Sequence, residues 1–312
     1  MLISIVIPVY RSELSIGPLV DRLMEEPSIK KQIEVVLVND GSPDGSGRVC
    51  REITAKYPGR TRLIELSRNF GEHNAVMAGL RHAKGDAAVI MDDDFQNPPS
   101  EVSLLIEEME KGGHDVVYGI YERKRHHWLR NLGSKVNGFM ATYLLDKPAG
   151  LYLSSFKSLN RFTIDQVIKY DLPYPYLDGL IFRVTKKVGK VMVRHEDRLM
   201  GESNYSFRKL VRLWLNMFTN FSVLPLRVAT LSGGLTIIFG MVMACVAVYW
   251  KYTDPLAPAG WATLVVLAAF FSGVQLISLG VMGEYIGRMF ISHSGAPQSI
   301  VREVVESEKK EP

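Results

Sequence analysis

Cysteine, strong net charge and the common nucleotide-loop motifs are scarce or missing in this 312-residue chain. Its two cysteines, Cys50 and Cys245, have no metal-type spacing, which excludes a disulfide framework and fits a reducing compartment. The net charge of +4 leaves no dense basic stripe, so no nucleic-acid partner is expected. No GxGxxG follows the first apolar run and no GxxxxGK(S/T) occurs, which disfavours dinucleotide-binding and P-loop proteins. The opening MLISIVIPVY lacks a basic n-region and a cleavage site, so it predicts a strand and not a signal peptide.

Charge is also absent from two long runs in the last third of the chain, residues 228–250 and 261–283. Each run has about 23 residues, enough to cross the hydrocarbon core of a bilayer. A short link joins them, so the sequence predicts a hairpin of two transmembrane helices over residues 228–288. The alternative, two core helices of a soluble domain, is disfavoured because such helices are rarely so long and so uniformly apolar.

Basic residues flank this hairpin on both sides. By the positive-inside rule, both ends of the hairpin and both chain termini are expected in the cytoplasm. Residues 1–205 then form a cytoplasmic domain, 206–227 a juxtamembrane amphipathic helix and 289–312 a cytoplasmic C-terminal tail. The flanking basic residues are Arg208, Lys209, Arg212 and Arg227 before the hairpin and Arg288 after it.

The first two thirds of the chain alternate short apolar runs with helix-like stretches. This alternation predicts an α/β fold with a doubly wound, mainly parallel sheet, in which ligands bind beyond the carboxyl ends of the strands. Polar residues stand at four such ends: Pro8 and Tyr10, Asp40, Arg68 and Asn69, and a run of aspartates. The predicted strands are LISIVIPVY, IEVVLVND, TRLIELS, AAVIMD and DVVYGI, and the predicted helices lie near residues 13–25, 44–57, 71–83 and 99–111.

The aspartate run is Asp92, Asp93 and Asp94, directly after the apolar AAVIM. Along an extended strand end side chains alternate, so Asp92 and Asp94 point one way and Asp93 the other. Two carboxylates on one side suit Mg²⁺ or Mn²⁺, with substrate phosphates as further ligands, and Asp93 is expected to be dispensable. The alternative is a solvated acidic turn before the next helix.

The motifs VIPVY, VNDGS, RNFGEHNAVMAG, DDDFQNPP, GESNYSF and GVMGEYIGR together resemble family 2 glycosyltransferases of the GT-A fold. Within that family the chain is most similar to the membrane-anchored polyprenyl-phosphate glycosyltransferases. These include bactoprenol glucosyltransferases, undecaprenyl-phosphate aminoarabinose transferases and dolichol-phosphate mannose synthases. The resemblance covers residues 3 to 288.

The resemblance implies a role for each polar strand end. Asp92, Asp94 and Gln96 match the family pattern that binds metal and donor diphosphate and are the expected catalytic set. The expected nucleotide-sugar contacts are Pro8, Tyr10, Glu13, Asp40, Arg68, Asn69, Asp92 and Asp93. Glu13 stands one place later than the acidic residue of the family pattern, and His73 is expected to be a polar contact and not a base.

The implied reaction is inverting, metal-dependent transfer of a sugar from a nucleotide-sugar, a UDP-sugar such as UDP-glucose, to undecaprenyl or another polyprenyl phosphate. A phosphomonoester is mostly a dianion at neutral pH, so it can attack without a general base. Such an enzyme is expected in a bacterial inner membrane, as a homo-oligomer that could be a tetramer.

The anionic acceptor needs cations near the metal. A basic, then apolar segment supplies them and predicts an interfacial helix over about residues 125–145, although an ordinary solvated helix gives the same pattern. A loop that matches the family pattern adds two weaker candidates. The expected acceptor-phosphate contacts are Arg123, Arg125, Arg130, Lys135, Arg198 and Ser203.

Three alternatives remain open on the sequence alone. A dolichol-phosphate mannose synthase would use GDP-mannose, and the sequence separates guanine from uracil poorly. A processive polysaccharide synthase would carry a later QxxRW and more membrane spans, which this chain lacks. An inactive scaffold or lipid-linked-sugar transporter is disfavoured by the intact Asp92, Asp94 and Gln96. No motif identifies the sugar.

Overall fold

The computed structural model describes residues 1–121, 148, 151–196, 224–253, 260–295 and 297–307. The chain divides into two compact units. The first comprises Met1–Asn204 together with Ala296–Pro312, and the second is Tyr205–Gly295. The first unit therefore contains chain from both sides of the second.

The first unit is built on an eight-stranded mixed sheet with the strand order β7-β5-β6-β4-β1-β2-β3-β8. Strands β1, β2, β3 and β4 run parallel to one another, whereas β6, between β4 and β5, and β8, at the edge, are antiparallel to their neighbours. The strands are β1 Leu2–Val9, β2 Gln32–Asn39, β3 Thr61–Leu66, β4 Ala87–Ile90, β5 Val116–Tyr121, β6 Lys157–Asn160, β7 Val188–Val193 and β8 Val301–Glu306. The helices are α1 Ile16–Glu25, α2 Ser46–Lys56, α3 Glu72–His82, α4 Glu101–Gly112, α5 Arg161–Val167 and α6 Leu177–Val184.

The core of this unit follows from the alternation of side chains along the central strands. Ile3, Ile5 and Ile7 of β1 are fully buried in one apolar cluster with residues of α1 and α4. The opposite face of β1 carries Val6, against which α3 packs so closely that a Cβ on Gly79 would lie 2.4 Å from a Val6 methyl group. Helices thus cover both faces of the sheet, as a doubly wound fold requires.

The last strand, β8, pairs antiparallel with β3 at the edge of the sheet. Arg51 on α2 reaches Glu303 at 2.8 Å, and Arg62 on β3 reaches Glu306 at 2.5 Å. The sequence assigns residues 289–312 to a tail, and the structure instead makes part of this segment a strand of the first unit. The difference arises because β8 has only six residues and pairs with a strand that is distant in sequence.

The second unit contains two long helices that pack against each other, α7 Leu224–Thr253 and α8 Trp261–His293. Each contains one of the predicted spans and extends beyond it. Within the described part of the chain, one segment, Leu226–Val246, is long and apolar enough to cross a membrane, with a mean hydropathy of 1.9. The second span stays a prediction. The proposed interfacial helix at 125–145 and residues 206–223 lie outside the described residues.

Candidate active site

The aspartate run follows β4 at the carboxyl edge of the sheet, and its side chains point to different neighbouring strands. Asp92 accepts a hydrogen bond from the Ser155 hydroxyl, just before β6. Asp93 accepts from the Ser12 hydroxyl and from the Tyr10 backbone N–H at 3.2 Å, both just after β1. Since β4 lies between β6 and β1, successive aspartates tie it to both sides.

The remainder of this loop is fixed by strands further along the sheet. The Gln96 carbonyl accepts from the Glu196 N–H at 2.9 Å, after β7. The side-chain oxygen of Asn97, a residue only 2% exposed, accepts from the Tyr121 hydroxyl at 3.0 Å, at the end of β5. Phe95 has a positive φ of 63°, a conformation that costs a non-glycine residue energy and is tolerated where its surroundings enforce it. The loop is therefore bonded to β5 and β7 as well as to the neighbouring strands.

The surroundings of Asp92 and Asp93 disfavour the charged forms of their carboxylates. Burial, with added repulsion from Glu72 and Asp94, raises the pKa of Asp92 to about 7. Burial also raises the pKa of Asp93 to about 6, against the hydrogen bonds from Ser12 and Tyr10. A bound cation would favour the ionised forms and lower both pKa values.

Asp92 and Asp94 supply the hard oxygen ligands that Mg²⁺ and Mn²⁺ prefer. Among the described residues, however, no group of three or more His, Cys, Asp or Glu side chains is arranged as a complete metal site. This donor set fits a divalent ion that takes its remaining ligands from water and from substrate phosphates. The structure thus brings Asp92, Asp94 and the backbone of Gln96 together at one edge.

The β2 end carries Asp40, whose carboxylate organises the neighbouring loop. One oxygen accepts from the Phe70 N–H at 2.7 Å and the other from the Gly71 N–H at 2.9 Å. Burial raises the pKa of Asp40 despite these bonds. Gly41 is needed beside it, because it has a φ of +60° and its Cβ would lie 2.5 Å from the Arg68 carbonyl carbon. The structure therefore shows Asp40 positioning the loop that carries Arg68 and Asn69.

Tyr10, Arg68 and Asn69 are exposed on this side of the edge. The Arg68 guanidinium lies over the Phe70 ring at 4.8 Å from its centroid. Pro8, half-buried in β1, lies opposite Val38 of β2. These are residues for which the sequence predicts contacts with a nucleoside, and those contacts stay a prediction.

Glu13 has a structural partner that the sequence does not predict. Its carboxylate accepts from the Gly45 N–H at 3.1 Å and from the Arg48 guanidinium at 3.0 Å. These contacts place its negative charge at the start of α2, where the helix dipole favours an anion. Its expected contact with the nucleotide stays a prediction.

A buried ionic network behind the aspartates is absent from the predictions. Lys157, 2% exposed, donates to Asp178, which also accepts from the Tyr118 hydroxyl at 2.8 Å. The Lys157 charge opposes the rise in the pKa of Asp92. Removing one partner of such a buried pair costs about 3–5 kcal/mol. The available signal was a lone lysine inside the otherwise uncharged LYLSSFKSLN.

Two residues at the start of α3 border the same crevice. Glu72 is exposed, and partial loss of solvation raises its pKa, with further increases from Asp178, Asp93 and Asp94. Burial lowers the pKa of His73, whose ring meets Tyr176 edge-on at 5.4 Å. His73 is thus neutral at pH 7, and Glu72 is an acidic neighbour that sequence reasoning missed. The expected acceptor contacts, Arg123, Arg125, Arg130, Lys135, Arg198 and Ser203, lie outside the described residues.

Comparison with known proteins decides the family. The model described as "Glycosyl transferase family 2" matches residues 4–175, more than half of the chain. The chain belongs to this family. It is a glycosyltransferase, and the family that its motifs predict is confirmed.

Full-length relatives extend the similarity beyond that domain. The chain is 32% identical over 311 residues to an undecaprenyl-phosphate 4-deoxy-4-formamido-L-arabinose transferase of Edwardsiella ictaluri, covering 97% of this chain and 94% of the relative. It is 30% identical to the enzyme of the same name from Proteus mirabilis, with the same coverage of both chains.

A solved structure confirms the GT-A fold of the first unit. It is glucosyl-3-phosphoglycerate synthase from Mycobacterium tuberculosis, in complex with Mn²⁺ and UDP-glucose. The TM-score is 0.51 at 17% identity, covering 67% of this chain and 73% of that one. At this identity the likeness establishes the fold and not the substrates.

Proposed function

We propose that this glycosyltransferase moves a sugar from a nucleotide-sugar, a UDP-sugar, to undecaprenyl phosphate or another polyprenyl phosphate, with inversion at the anomeric carbon. The observation that carries the proposal is the Asp92–Asp94 pair on a rigid loop at the carboxyl edge of the sheet. The two relatives that match the full chain are both named as undecaprenyl-phosphate sugar transferases, which supports the acceptor class.

The donor diphosphate would meet the acidic loop through a divalent ion held by Asp92, Asp94 and Gln96. Such an ion, Mg²⁺ or Mn²⁺, stabilises the negative charge that grows on the leaving diphosphate. Tyr10, Arg68 and Asn69 would contact the nucleoside, while Asp40 holds the loop that presents two of them. The strained Phe95 and the five hydrogen bonds to this loop keep the carboxylates in place, so little reorganisation is needed when the donor arrives.

The acceptor would bring its own nucleophile. The second pKa of a phosphomonoester is about 6, so a polyprenyl phosphate is mostly a dianion at neutral pH. It can attack without transferring a proton to the protein, so no histidine base is needed, and His73 is packed against Tyr176. Arg123, Arg125, Arg130 and Lys135, with Arg198 and Ser203, are the groups that would hold the phosphate.

The chain would work at a bacterial inner membrane, with α7 and α8 crossing the bilayer and the catalytic unit on the cytoplasmic side. The apolar segment Leu226–Val246 and the basic residues around the predicted hairpin support this placement. Self-association into a homo-oligomer is part of the same proposal and is checked by the mass of the purified protein in detergent.

The decisive experiment incubates the purified full-length chain with undecaprenyl phosphate and a panel of radiolabelled UDP- and GDP-sugars, with Mn²⁺ or with a chelator. We expect one UDP-sugar to yield a chloroform-soluble labelled lipid in the presence of Mn²⁺ only. The Asp94→Asn variant is the matched control, since it removes one ligand charge without changing the size of the side chain. Labelled lipid formed equally well in chelator would reject the metal assignment, and no labelled lipid from any donor would reject the acceptor.

A further inference from the structure

Three aromatic side chains form a cluster beside the acidic loop that the described function does not use. Tyr121 ends β5, Tyr152 precedes β6, and His195 follows β7. The Tyr121 ring lies 6.0 Å from the Tyr152 ring and 4.2 Å from the His195 ring, centroid to centroid. We call these three residues the aromatic platform. Tyr152 is 56% exposed and His195 is also exposed, so the platform has an open surface.

The platform is built onto the catalytic loop. The Tyr121 hydroxyl is fixed by Asn97, the residue after Gln96. This hydrogen bond of 3.0 Å places the Tyr121 ring beside the loop that carries Asp92 and Asp94. Three residues after Tyr152, Ser155 donates to Asp92. Two of the hydrogen bonds that fix the acidic loop, to Tyr121 and to Ser155, therefore come from the platform or from the segment that follows Tyr152.

The order of strands fixes which part of a donor reaches the platform. Along the edge, Asp40 and the Arg68 loop follow β2 and β3, Tyr10 follows β1, and the aspartates follow β4. The next strands are β6, β5 and β7, which carry the platform. Neighbouring strands lie about 4.8 Å apart, so a nucleoside diphosphate laid from β2 to β4 spans the first part of the edge. The group attached to its second phosphate is the sugar, which continues in the direction of β6 and β5.

We infer that the aromatic platform is the subsite for the sugar ring of the donor, an inference that rests on the proposed function. A sugar ring presents one face of C–H groups, and such groups pack on the electron-rich face of an aromatic ring. The exposed Tyr152 provides this surface, while Tyr121 and His195 support it. Tyr152 is thus a specificity-determining residue for the sugar and has no part in bond making.

The alternative occupant of the platform is the first isoprene unit of the acceptor, which is also apolar. The two occupants differ in one respect. If the platform binds the sugar, substitution of Tyr152 weakens the binding of a nucleotide-sugar and leaves the binding of the nucleoside diphosphate alone unchanged. If the platform binds the isoprenoid, the substitution changes neither of these affinities and weakens only the binding of the lipid substrate.

The test uses the purified full-length chain with Mn²⁺ and measures Kd for UDP and for the UDP-sugar that the wild type converts. We expect Tyr152→Ala to raise the Kd for the UDP-sugar about fivefold, as loss of one aromatic contact of about 1 kcal/mol implies, with the Kd for UDP unchanged. Tyr152→Phe should stay within about twofold of the wild type, because it keeps the ring. Phe162→Ala is the matched control, since Phe162 is 52% exposed at the start of α5 on the opposite edge of the sheet.

Each other outcome has a definite meaning. An unchanged Kd for the UDP-sugar overturns the inference, and a raised KM for undecaprenyl phosphate beside it assigns the rings to the acceptor. An equal rise in both Kd values also overturns it, because the substitution then disturbs the nucleotide site. If the wild type binds none of a panel of UDP- and GDP-sugars, the proposed function itself is wrong. This result concerns the wild type alone, so it is distinguishable from any result with the Tyr152 variants.

Discussion

Asp93 provides the sharpest test of the site, because its contacts revise the expectation that it is dispensable. Its carboxylate joins the end of β4 to Ser12 and Tyr10 at the end of β1. In Asp93→Ala the Ser12 hydroxyl, which is 7% exposed, loses this acceptor. The hydroxyl can turn to the Tyr10 carbonyl at 3.3 Å, so the loss costs about 1 kcal/mol, at the low end for a buried polar group.

The same substitution removes a charge that the folded protein holds unfavourably. The pKa of Asp93 is about 6 in the folded protein, above its ordinary value of 3.8. The folded state then binds this proton more tightly than the unfolded state, so stability falls as the pH rises from about 4 to about 6. A difference of about two in pKa corresponds to about 3 kcal/mol above pH 6. The alanine variant has no carboxyl group at this position, so its stability does not fall for this reason.

We therefore expect the effect of Asp93→Ala on stability to change sign with pH. In chelator, the variant should be less stable than the wild type by about 0.5 kcal/mol at pH 4, where most of the linkage loss has not yet occurred, and more stable by about 2 kcal/mol at pH 7.5. Thermal unfolding of the full-length chain in detergent measures both. Asp93→Asn is the control, because it lacks the charge and keeps an acceptor oxygen. It should be more stable than the alanine variant at both pH values.

The result that would refute this reasoning is a difference in unfolding temperature that is the same at pH 4 and pH 7.5. Activity gives a second check. Without the tie to β1, Tyr10 is less well fixed, and we expect the Kd for UDP to rise about tenfold, or about 1.4 kcal/mol. An alanine variant with normal UDP affinity and normal turnover would restore the expectation that Asp93 is dispensable.

Three further predictions follow from the site and the fold. Asp94→Asn should abolish most divalent-dependent transfer while the circular dichroism spectrum is unchanged, since the residue lies in a surface crevice; an unaltered Mn²⁺ dependence would contradict the metal assignment. Replacing Arg123 and Arg125 together by Ala should raise the KM for lipid phosphate or lower kcat by about tenfold, with donor Kd unchanged. If the pair only attracts anionic headgroups, transfer to a short soluble prenyl phosphate in neutral detergent will be unaffected. Deleting residues 297–312 removes β8 and should lower the unfolding temperature, whereas deleting 308–312 alone should not.

Much of the fold is predictable because the signals are local. The apolar runs that become β1 to β5 and the periodic stretches that become α1 to α4 lie within a few residues of their predicted positions. Each of these elements is long enough, and apolar enough on one face, to be recognised without knowing its neighbours. The parallel order at the centre of the sheet then follows from their alternation.

The elements that were missed are short or pair with distant chain. Strand β6 has four residues, KSLN, with no apolar period, and it is held by antiparallel pairing to β4 and β5. The site divides in the same way. The positions of Asp92 and Asp94 follow from their place after β4, whereas the bond from Asp93 to Ser12 and the pair of Lys157 with Asp178 join residues that only the folded sheet brings together.

The position of β8 has a consequence for the order in which the protein can be completed during synthesis. Arg51 and Glu303 are 252 positions apart, and the two long helices lie between them. The ribosome therefore releases β8 only after both helices have been made, and until then β3 is an open edge with unpaired backbone groups. Open edges recruit other strands, so a chain that stalls within the helices carries an aggregation site that the finished chain conceals. The catalytic sheet can thus be completed by β8 only after the two long helices have been synthesised.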